Sequence, residues 1–398
     1  MNKIPTDIVY YAVNRWDSVI QREQFLIMGL NKTYRILFID PPLSFSTVLL
    51  GKIRGEKWSF KSSFRRINER LLVYTPPAFP PFSQYFRWVN FFHTRLLTFL
   101  TRSLLRRMSF DNFILGSGRP FMGRAVKDLN PTLSYYDCSD DYLEFPGLKA
   151  NRMLLKESET DLLKSVDLVF CSSKALKEAK SHLNRNCFFL PNGVDQAYLF
   201  EQGADQGADQ TAHQAGDTEI PPELRGIGRP LLGYVGTIGD WFDFDQLVGL
   251  AKRRPDWSFV LIGPVTSRRF SSVFQEVSNI HWLGEKNYES LHRYLKEFDL
   301  CLIPFRVDEF TKKIYPTKVL QYLAEGKSVV SSHLPELESL TPWVEFYSDV
   351  GEMEEKVEKS LRDDSEEKAL ARKRVAAENT WDQRVASMVR VFGDFLRS

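Results

Sequence analysis

Cysteine is scarce in this 398-residue sequence, and no metal-binding pattern surrounds it. The chain has no CxxC pair and no histidine at ligand spacing, which argues against a zinc site and against a disulfide framework. Few, scattered cysteines are typical of proteins from a reducing cytoplasm. We therefore expect no bound metal, and we expect small apolar packing roles for Cys138, Cys171, Cys187 and Cys301.

Long hydrophobic runs are also absent. No stretch of about 18 apolar residues occurs, so the sequence predicts no membrane-spanning helix. The first residues, MNKIPTDIVYYAV, lack the apolar core and the cleavage site of a signal peptide and are more typical of a first β-strand. These absences predict a cytoplasmic protein that can attach peripherally to the inner face of the cell membrane.

Acidic residues are rare in the first third of the chain. Residues 1–130 contain 20 Lys and Arg but only 8 Asp and Glu, whereas the remaining residues contain 33 and 43. The net charge of +2 conceals this asymmetry. A basic first third favours an anionic partner, such as a membrane surface, a phosphorylated acceptor or nucleic acid.

Short apolar segments alternate with amphipathic ones along most of the chain, whose length suits two domains. The strands predicted in the first half lie at 7–13, 35–40, 112–116, 133–138, 167–172 and 187–191, and the helices at 19–30, 151–164 and 174–183. Those of the second half are strands at 231–235, 259–263, 280–283, 300–304 and 328–331, and helices at 244–254, 267–277, 288–298, 316–324 and 381–396. Such alternation predicts parallel sheets covered by helices.

A polar stretch separates the two halves. Residues 201–218 read EQGADQGADQTAHQAGDT and contain almost nothing to bury, so we expect a flexible linker. The predicted organisation is a first Rossmann-like domain at 1–200, a linker at 201–222, a second domain at 223–375 and a helix at 376–398 that packs back toward the first domain. Doubly wound α/β domains bind ligands at the carboxyl ends of their strands, so a central cleft between the domains is the expected site.

A glycine-rich turn follows the first strand of the second half. Residues 233–239 read GYVGTIG, and the bare N–H groups of such a turn suit a diphosphate. Gly236 and Thr237 are the candidate contacts, although a tight turn without a ligand explains the pattern equally well. Asp240 is a candidate for a sugar or acceptor contact, whereas Asp243 is placed to cap the next helix.

A second candidate lies in residues 316–327, PTKVLQYLAEGK, where proline suits the first turn of a helix and Gly326 suits its end. A lysine in a first turn opposes the helix dipole unless an anion binds there. Thr317 and Lys318 are therefore predicted to hold a phosphate group. Gln321, one turn later, can hydrogen-bond a ribose or sugar hydroxyl. An ordinary solvated lysine is the alternative.

Residues 84–108, QYFRWVNFFHTRLLTFLTRSLLRRM, combine aromatic and aliphatic residues with five arginines and one histidine. No acidic residue interrupts them. Such a stretch favours a helix that lies in the headgroup region of an anionic membrane. A helix that packs its apolar side on the first sheet, with its arginines in solvent, is the alternative.

Two segments of the second half, at 279–305 and 315–331, resemble the C-terminal domain of GT-B glycosyltransferases. The specific part is the pattern PxKxxQ/E-YLA-x-GKxVV within YPTKVLQYLAEGKSVVS. In the first half, YYDCSDDYLEF, DLVFCSSKALKEA and FFLPNGVD match the same group in order and spacing. The chain is therefore similar to bacterial teichuronic-acid-type glycosyltransferases and to the xanthan-type glucuronosyltransferase, most weakly over 41–110.

The resemblance implies two Rossmann-like domains in the GT-B arrangement and a UDP-sugar as donor. It implies transfer of a hexose or hexuronic acid to a lipid-linked or polysaccharide acceptor in cell-envelope or exopolysaccharide synthesis. Lys318 would contact the diphosphate, Gln321 the nucleotide or donor sugar, and the segment with Leu283 and Glu285 the base. An exposed carboxylate at a strand end explains Glu285 equally well. No cofactor or metal is implied, because Lys318 and backbone amides offset the charge of the leaving diphosphate.

The same resemblance places a catalytic base in the loop YDCSDDY at 136–142. Inverting transfer needs a general base for the acceptor hydroxyl, and neighbouring carboxylates raise the pKa of such a base. Asp140 is the preferred candidate and Asp141 the second, although Asp and Ser are also common turn residues. Near the first strand, Trp16, Arg22 and Gln24 could contact an acceptor, and a solvated helix face explains Arg22 nearly as well.

Two departures from the family pattern bear on stereochemistry. Many members have an acidic residue in place of Gln321 and a glutamate in place of Lys313, which puts the retaining Glu-x7-Glu subgroup in doubt for this chain. A retaining transferase, a nucleotide-sugar epimerase on the same fold and an inactive scaffold are the alternatives. A basic nucleic-acid-binding protein is the alternative from another class, although the chain carries no recognisable motif for it.

Overall fold

The structure, a computed structural model, describes residues 5–55, 58–145, 151–199, 220–270 and 277–397. The chain divides into two compact units, one formed by Met1–Pro191 with Arg384–Ser398 and the other by Asn192–Gln383. The stretch predicted as a flexible linker at 201–218 lies outside the described residues.

A mixed sheet of eight strands forms the centre of the first unit. In chain order the strands are β1 (Asp7–Tyr11), β2 (Arg35–Ile39), β3 (Ser63–Arg66), β4 (Leu71–Thr75), β5 (Phe113–Ser117), β6 (Leu133–Cys138), β7 (Leu168–Cys171) and β8 (Cys187–Phe189). Their spatial order is β3-β4-β2-β1-β5-β6-β7-β8. Only β3 runs antiparallel to its neighbour, β4. All six strands predicted in this half are confirmed, with shifts of a few residues at their ends.

The helices of the first unit connect these parallel strands. They are α1 (Arg22–Asn31), α2 (Phe45–Ile53), α3 (Arg87–Met108), α4 (Gly123–Leu129), α5 (Arg152–Ser165) and α6 (Lys174–Ser181). Side-chain oxygens fix several starts, because the residue before the helix accepts a hydrogen bond from an otherwise unpaired backbone N–H. Ser44, Asn151 and Ser173 do so for α2, α5 and α6.

An all-parallel sheet of six strands forms the centre of the second unit. Its strands are β9 (Leu231–Val235), β10 (Ser258–Ile262), β11 (Ile280–Trp282), β12 (Leu300–Ile303), β13 (Val329–Ser332) and β14 (Val344–Tyr347), in the spatial order β11-β10-β9-β12-β13-β14. The helices are α7 (Phe244–Arg253), α8 (Leu291–Glu297), α9 (Lys318–Ala324), α10 (Val350–Arg362), α11 (Glu366–Ala377) and α12 (Trp381–Arg397). The five strands predicted in this half are confirmed.

The last helix, α12, belongs from Arg384 onward to the first unit. The ring of Phe392 lies 5.3 Å from that of Tyr135 and 5.9 Å from that of Phe170, between centroids. Gly29 of α1 allows close packing, since a Cβ there would lie 2.5 Å from a methyl group of Val385. The end of the chain therefore completes the core of the unit in which the chain begins.

Several elements were not expected from the sequence, namely β3, β4, β14, α2, α4, α10 and α11. All four residues of β3, SFRR, are exposed, so the strand has no buried side to give an apolar pattern. The helices α10 and α11 are rich in charge and bury few side chains. Most of the helix predicted at 267–277 lies outside the described residues. Within the described ranges, no helix is both long enough and apolar enough to cross a membrane.

Candidate functional site

Two glycine turns meet at the carboxyl ends of β9 and β10. Gly236 and Gly263 have φ angles of +141° and +138°, which residues with a side chain rarely adopt. Gly236 donates its N–H to the carbonyl of Ile262 at 2.8 Å. A Cβ built on Gly263 would lie 2.2 Å from the carbonyl oxygen of Gly236. Backbone therefore touches backbone here, and a side chain at Gly263 would clash with the Gly236 turn.

Lys318, at the start of α9, reaches this first glycine turn. A Cβ on Gly236 would lie 3.0 Å from the Lys318 Nζ. The ammonium lies 4.9 Å from the ring centroid of Tyr234 and 4.7 Å from that of Phe305, distances typical of cation–π contacts. No carboxylate in the described part of the chain forms an ion pair with it, and burial lowers the pKa of Lys318 to about 7. A half-buried cation without a counter-charge thus lies beside the turn.

The hydroxyl of Tyr322 joins α9 to β9. It accepts a hydrogen bond from the N–H of Val235 at 2.8 Å and lies 3.3 Å from the carbonyl oxygen of the same residue. Tyr322 is completely buried, so this link is protected from water. The link fixes Lys318 relative to the glycine turn. Thr317 and Gln321 are both half-buried, and Gln321 interacts with the hydroxyl of Tyr288.

The segment after β11 is tied to the second glycine turn. Trp282 donates its indole N–H to the carbonyl of Gly263 at 3.0 Å, and Gly263 donates its own N–H to Gly284 at 2.9 Å. Leu283 is half-buried against the core, whereas Glu285 is exposed. The structure therefore brings the segment predicted to contact the base next to the Gly263 turn, which touches the turn predicted to contact the diphosphate.

The acidic residues after the first glycine turn have different surroundings. Asp243 accepts a hydrogen bond from the N–H of Gln246 at 3.1 Å, so the predicted helix cap is confirmed. Asp240 is exposed in the turn before it, and Thr237 is half-buried with its carbonyl held by the Tyr234 hydroxyl at 2.8 Å. A ligand contact for Asp240 and Thr237 stays a prediction.

In the first unit, the carboxylate of Asp137 near the end of β6 forms a buried ion pair with Arg22. Arg22 of α1 donates Nε and Nη2 to it at 3.0 and 2.8 Å, and Arg22 Nη1 donates to the carbonyl of Leu190 at 2.9 Å. The expectation that Arg22 and Gln24 contact an acceptor is wrong. Both side chains are buried, and Gln24 closes a capping box with Gln21. A solvated Arg22 is equally excluded, because the pair lies in the interior.

Asp140 lies two residues beyond β6 and is half-buried. Its hydrogen bond comes from the hydroxyl of Ser139 at 3.2 Å. The pKa of the Asp140 carboxyl is raised, mainly by burial and also by the neighbouring carboxylates of Asp137 and Asp141. The hydroxyl of Ser139 and the charge of Arg22 act in the opposite direction. Asp141 is more deeply buried and accepts the N–H of Leu143 at 3.2 Å, as a turn residue does. Of the two candidates, Asp140 has the surroundings better suited to a base.

Two charged residues of the first unit were missed in the sequence. Glu23 is buried at the start of α1, where it accepts the N–H groups of Val13 and Asn14 at 2.9 and 2.6 Å, and burial raises its pKa to about 7. Arg119 follows β5 and is half-buried. For Arg119 the available signal was its position just after the strand predicted at 112–116, at the edge where ligands bind. Glu23 lay within the helix predicted at 19–30, where no local signal distinguished it.

Three of the cysteines are not scattered in space. Cys138 of β6 lies opposite Cys171 of β7 in the sheet, and Cys187 begins the next strand, β8. All are buried free thiols. Interactions with both neighbours and burial raise the pKa of the Cys171 thiol. Parallel topology brings together residues that sequence spacing separates.

Comparison with known proteins gives a family match and a curated relative. Residues 245–390 match the family described as "Glycosyl transferase-like". A Bacillus subtilis (strain 168) protein named as a teichuronic acid biosynthesis glycosyltransferase, TuaH, is 28% identical over 223 residues. The aligned region covers 53% of this chain and spans about half of that relative's length (53%).

Solved structures match nearly the whole chain. An E. coli structure described as trehalose-6-phosphate bound with UDP-2-fluoro glucose has a TM-score of 0.68 at 12% identity, covering 97% of this chain and 98% of that one. The α,α-trehalose 6-phosphate synthase of Burkholderia multivorans gives 0.65 at 13%, covering 99% and 97%. Anabaena HepE in complex with UDP gives 0.64 at 12%, covering 98% and 100%.

The fold and the sequence matches agree. The solved structures show that this chain has the GT-B fold. The family and relative matches confirm the resemblance to glycosyltransferases stated from residues 279–331 and the first-half motifs. The expected fold class, two Rossmann-like α/β units, is confirmed as well.

Proposed function

We propose that this protein transfers a hexose or hexuronic acid from a UDP-sugar to a lipid-linked or polysaccharide acceptor in cell-envelope or exopolysaccharide synthesis. The donor would bind to the second unit, at the glycine turns and Lys318. Asp140 of the first unit would act as general base, so that the acceptor oxygen attacks the anomeric carbon with inversion. The relative that is named for teichuronic acid biosynthesis supports the cell-envelope role.

The observation that carries this proposal is the unpaired ammonium of Lys318. A cation that is half-buried without a counter-charge is unfavourable in an empty protein, as its lowered pKa indicates. A diphosphate beside Gly236 would supply the missing negative charge. The ammonium would then stabilise the charge that develops on the leaving diphosphate. Two solved structures of the same fold, described as bound to UDP-2-fluoro glucose and to UDP, support a uridine nucleotide.

Thr317, Gln321, Leu283 and Glu285 complete the proposed donor site. Gln321 lies one helical turn after Lys318, where its amide can reach a hydroxyl of the ribose or sugar. Leu283 and the backbone after β11 would border the base. No metal is included in the proposed site, where Lys318 would offset the charge of the leaving diphosphate.

A panel of nucleotide sugars tests the donor assignment. Because a ligand that binds the folded state stabilises it by mass action, UDP-sugars should raise the melting temperature, whereas GDP- and dTDP-sugars at the same concentration should not. Differential scanning fluorimetry measures the shift. Equal shifts for all nucleotides would contradict base recognition. Sugar nucleotide turnover that needs no added acceptor would instead favour the epimerase.

We also propose that the first unit binds an anionic membrane surface. Trp88, Phe92 and Phe99 of α3 are 66%, 64% and 67% exposed, and they recur at helical spacing on one side. Arg95 and Arg106 are exposed on the same helix, and among the described residues neither forms an ion pair. Exposed apolar side chains flanked by unpaired cations match a bilayer interface with anionic headgroups. A lipid-linked acceptor would require such an arrangement.

A double variant, Phe92→Glu with Phe99→Glu, should reduce binding to phosphatidylglycerol-containing vesicles at least tenfold. Each exposed Phe contributes about 1.5–3 kcal/mol when buried in the interface, and the added carboxylates repel the anionic surface. Co-sedimentation with vesicles measures the effect. Ile220→Glu with Leu370→Glu is the matched control, because both residues are exposed in the second unit. Equal losses of vesicle binding in both double variants would contradict a membrane contact through α3. In a separate filter-binding measurement, salt-resistant retention of nucleic acid would favour the alternative of a nucleic-acid-binding protein.

A further inference from the structure

A cavity of about 70 Å³ lies under α3 in the first unit. It is bordered by the segments that follow β2, β4 and β5, at the carboxyl edge of the sheet, and by one side of α3. Its lining includes Pro42, Gln84, Asn90, His93, Thr94 and Arg119. This volume is well above the roughly 10–15 Å³ that one water needs, and it is large enough for a phosphate group. Polar groups therefore enclose a small space at the edge where α/β sheets bind ligands.

Arg119 brings an unpaired positive charge to this cavity. Its Nη1 is buried and has no hydrogen-bond partner, and among the described residues no carboxylate forms an ion pair with it. Burial lowers the pKa of Arg119 to about 10, while the charges of Tyr11 and Glu23 raise it only in part. Glu23 directs its two oxygens to backbone N–H groups instead. A guanidinium in such surroundings lacks the anion that would normally accompany it.

His93 lies on the α3 side of the same cavity. Its Nε2 is buried without a hydrogen-bond partner, and its ring packs edge-on against Phe79 at 4.8 Å between centroids. Burial and the charge of Arg119 together lower the pKa of His93 to about 4, against a hydrogen bond to the backbone of Pro80. Because proline offers only a carbonyl, the other ring nitrogen donates to it, and Nε2 of the neutral ring is an acceptor. Two unsatisfied nitrogen groups of different residues thus line one cavity. Unsatisfied buried polar atoms are rare in proteins, so the donor Arg119 Nη1 and the acceptor His93 Nε2 favour a ligand that offers groups to both.

We propose that this cavity is an oxyanion site for a phosphate group, with Arg119 as its principal hydrogen-bond donor. A guanidinium matches phosphate geometry because its parallel N–H groups can donate to two oxygens at once. The side chains of Asn90, Thr94 and Gln84 provide further hydrogen-bonding groups at the same lining. The neutral lining atoms of Phe79 and Leu97 would exclude water around the anion.

We assign this phosphate to the headgroup of a lipid-linked acceptor, and this assignment rests on the proposed function. One side of α3 lines the cavity and the other is exposed and apolar. The cavity side carries Asn90, His93, Thr94 and Leu97. The exposed side carries Trp88, Phe92 and Phe99. A helix with its side chains is only about 10–12 Å across. A headgroup could therefore enter the cavity while its hydrocarbon chain stays at the apolar surface of the same helix.

Vesicles of phosphatidylcholine that contain farnesyl diphosphate or farnesol test this site. The wild-type protein should bind the diphosphate vesicles about 10- to 100-fold more tightly than the farnesol vesicles, because only the former offer an anion to Arg119. Arg119→Gln should remove this preference, and Arg119→Lys should retain part of it. Arg124→Gln is the matched control, since Arg124 is exposed on α4 and does not line the cavity. Co-sedimentation measures all four proteins.

The outcomes separate this proposal from the donor site. Equal binding of the wild-type protein to the farnesyl diphosphate and farnesol vesicles would overturn the acceptor assignment. This result does not depend on whether the variants fold. Arg119-dependent binding of inorganic phosphate alone, with no preference for the lipid, overturns the lipid as its source and keeps the oxyanion site. Absence of both overturns the site. Titration with UDP is the independent readout: if UDP fails to bind while the vesicle preference persists, the proposed function fails and the cavity does not.

Discussion

Replacing Lys318 by methionine should weaken the binding of UDP about 10- to 100-fold. A hydrogen bond between charged groups contributes roughly 1.5–3 kcal/mol, and the variant removes it from the diphosphate. Methionine keeps most of the length and the apolar contact with Tyr234 and Phe305, so the glycine turn should keep its shape. Isothermal titration calorimetry with UDP measures the change, and the melting temperature without ligand checks the fold.

Lys312→Met is the matched control for this variant. Lys312 lies in the short 3-10 turn Thr311–Lys313, is exposed, and pairs with Glu309 at 2.9 Å. A loss of general positive charge would weaken UDP binding in both variants alike. Only a loss confined to Lys318→Met supports a direct contact with the diphosphate.

The pH dependence of binding provides a second test of the same contact. Because the pKa of Lys318 is lowered to about 7 in the free protein, the side chain is charged below that pH and neutral above it. A bound diphosphate favours the charged form and raises this pKa. The affinity for the best-binding UDP-sugar should therefore be constant below pH 7 and fall as the pH rises above it, with proton uptake on binding. Lys318→Met should lose this dependence, and an unchanged profile in the variant would place the titration elsewhere.

Asp140→Asn should lower kcat by about 10²- to 10⁴-fold while UDP binding stays unchanged. A general base contributes a factor of this size, and an amide cannot accept the proton of the acceptor hydroxyl. The substitution keeps the side-chain shape and its hydrogen bond from Ser139. Steady-state kinetics with a saturating donor, together with calorimetry for UDP, separate the loss of chemistry from a loss of binding.

Asp141→Asn distinguishes the two candidate carboxylates. Asp141 accepts the N–H of Leu143, and an asparagine oxygen can keep that bond, so we expect a smaller loss of kcat than for Asp140→Asn. The reverse order would make Asp141 the base. The anomeric configuration of the product, read by NMR, tests the mechanism: retention would contradict a base at either position. A structure of this fold is described in terms of glycosyl transfer with retention, which makes that measurement decisive.

The sequence allowed the prediction of most strands, because strands of a parallel sheet are buried on both faces and show as apolar runs. The bounds predicted for β6 and β9, Leu133–Cys138 and Leu231–Val235, are those of the structure. Strand β3 could not be found in this way, since all of its residues are exposed. The meeting of Lys318 with the glycine turn was also accessible, because both follow strands that are neighbours in a doubly wound sheet.

Pairings between distant charges could not be predicted. Arg22 and Asp137 are 115 residues apart, and nothing in the local pattern distinguishes a buried arginine from a solvated one at the start of a helix. The pair depends on the spatial order of β1, β5 and β6, which spacing alone does not define. The same holds for Arg119, whose unpaired state is visible only once every neighbour has a position.

The contact between Gly236 and Gly263 restricts how this protein can diversify. A Cβ on Gly263 would lie only 2.2 Å from the carbonyl oxygen of Gly236, and a Cβ on Gly236 would lie 2.7 Å from Cε of Lys318. A side chain at Gly263 would therefore move the Gly236 turn, and a side chain at Gly236 would move Lys318. A change of sugar preference must therefore come from residues around the turns, such as Trp282, whose indole already covers Gly263. Mutant libraries aimed at new donors should keep both glycines and vary that rim.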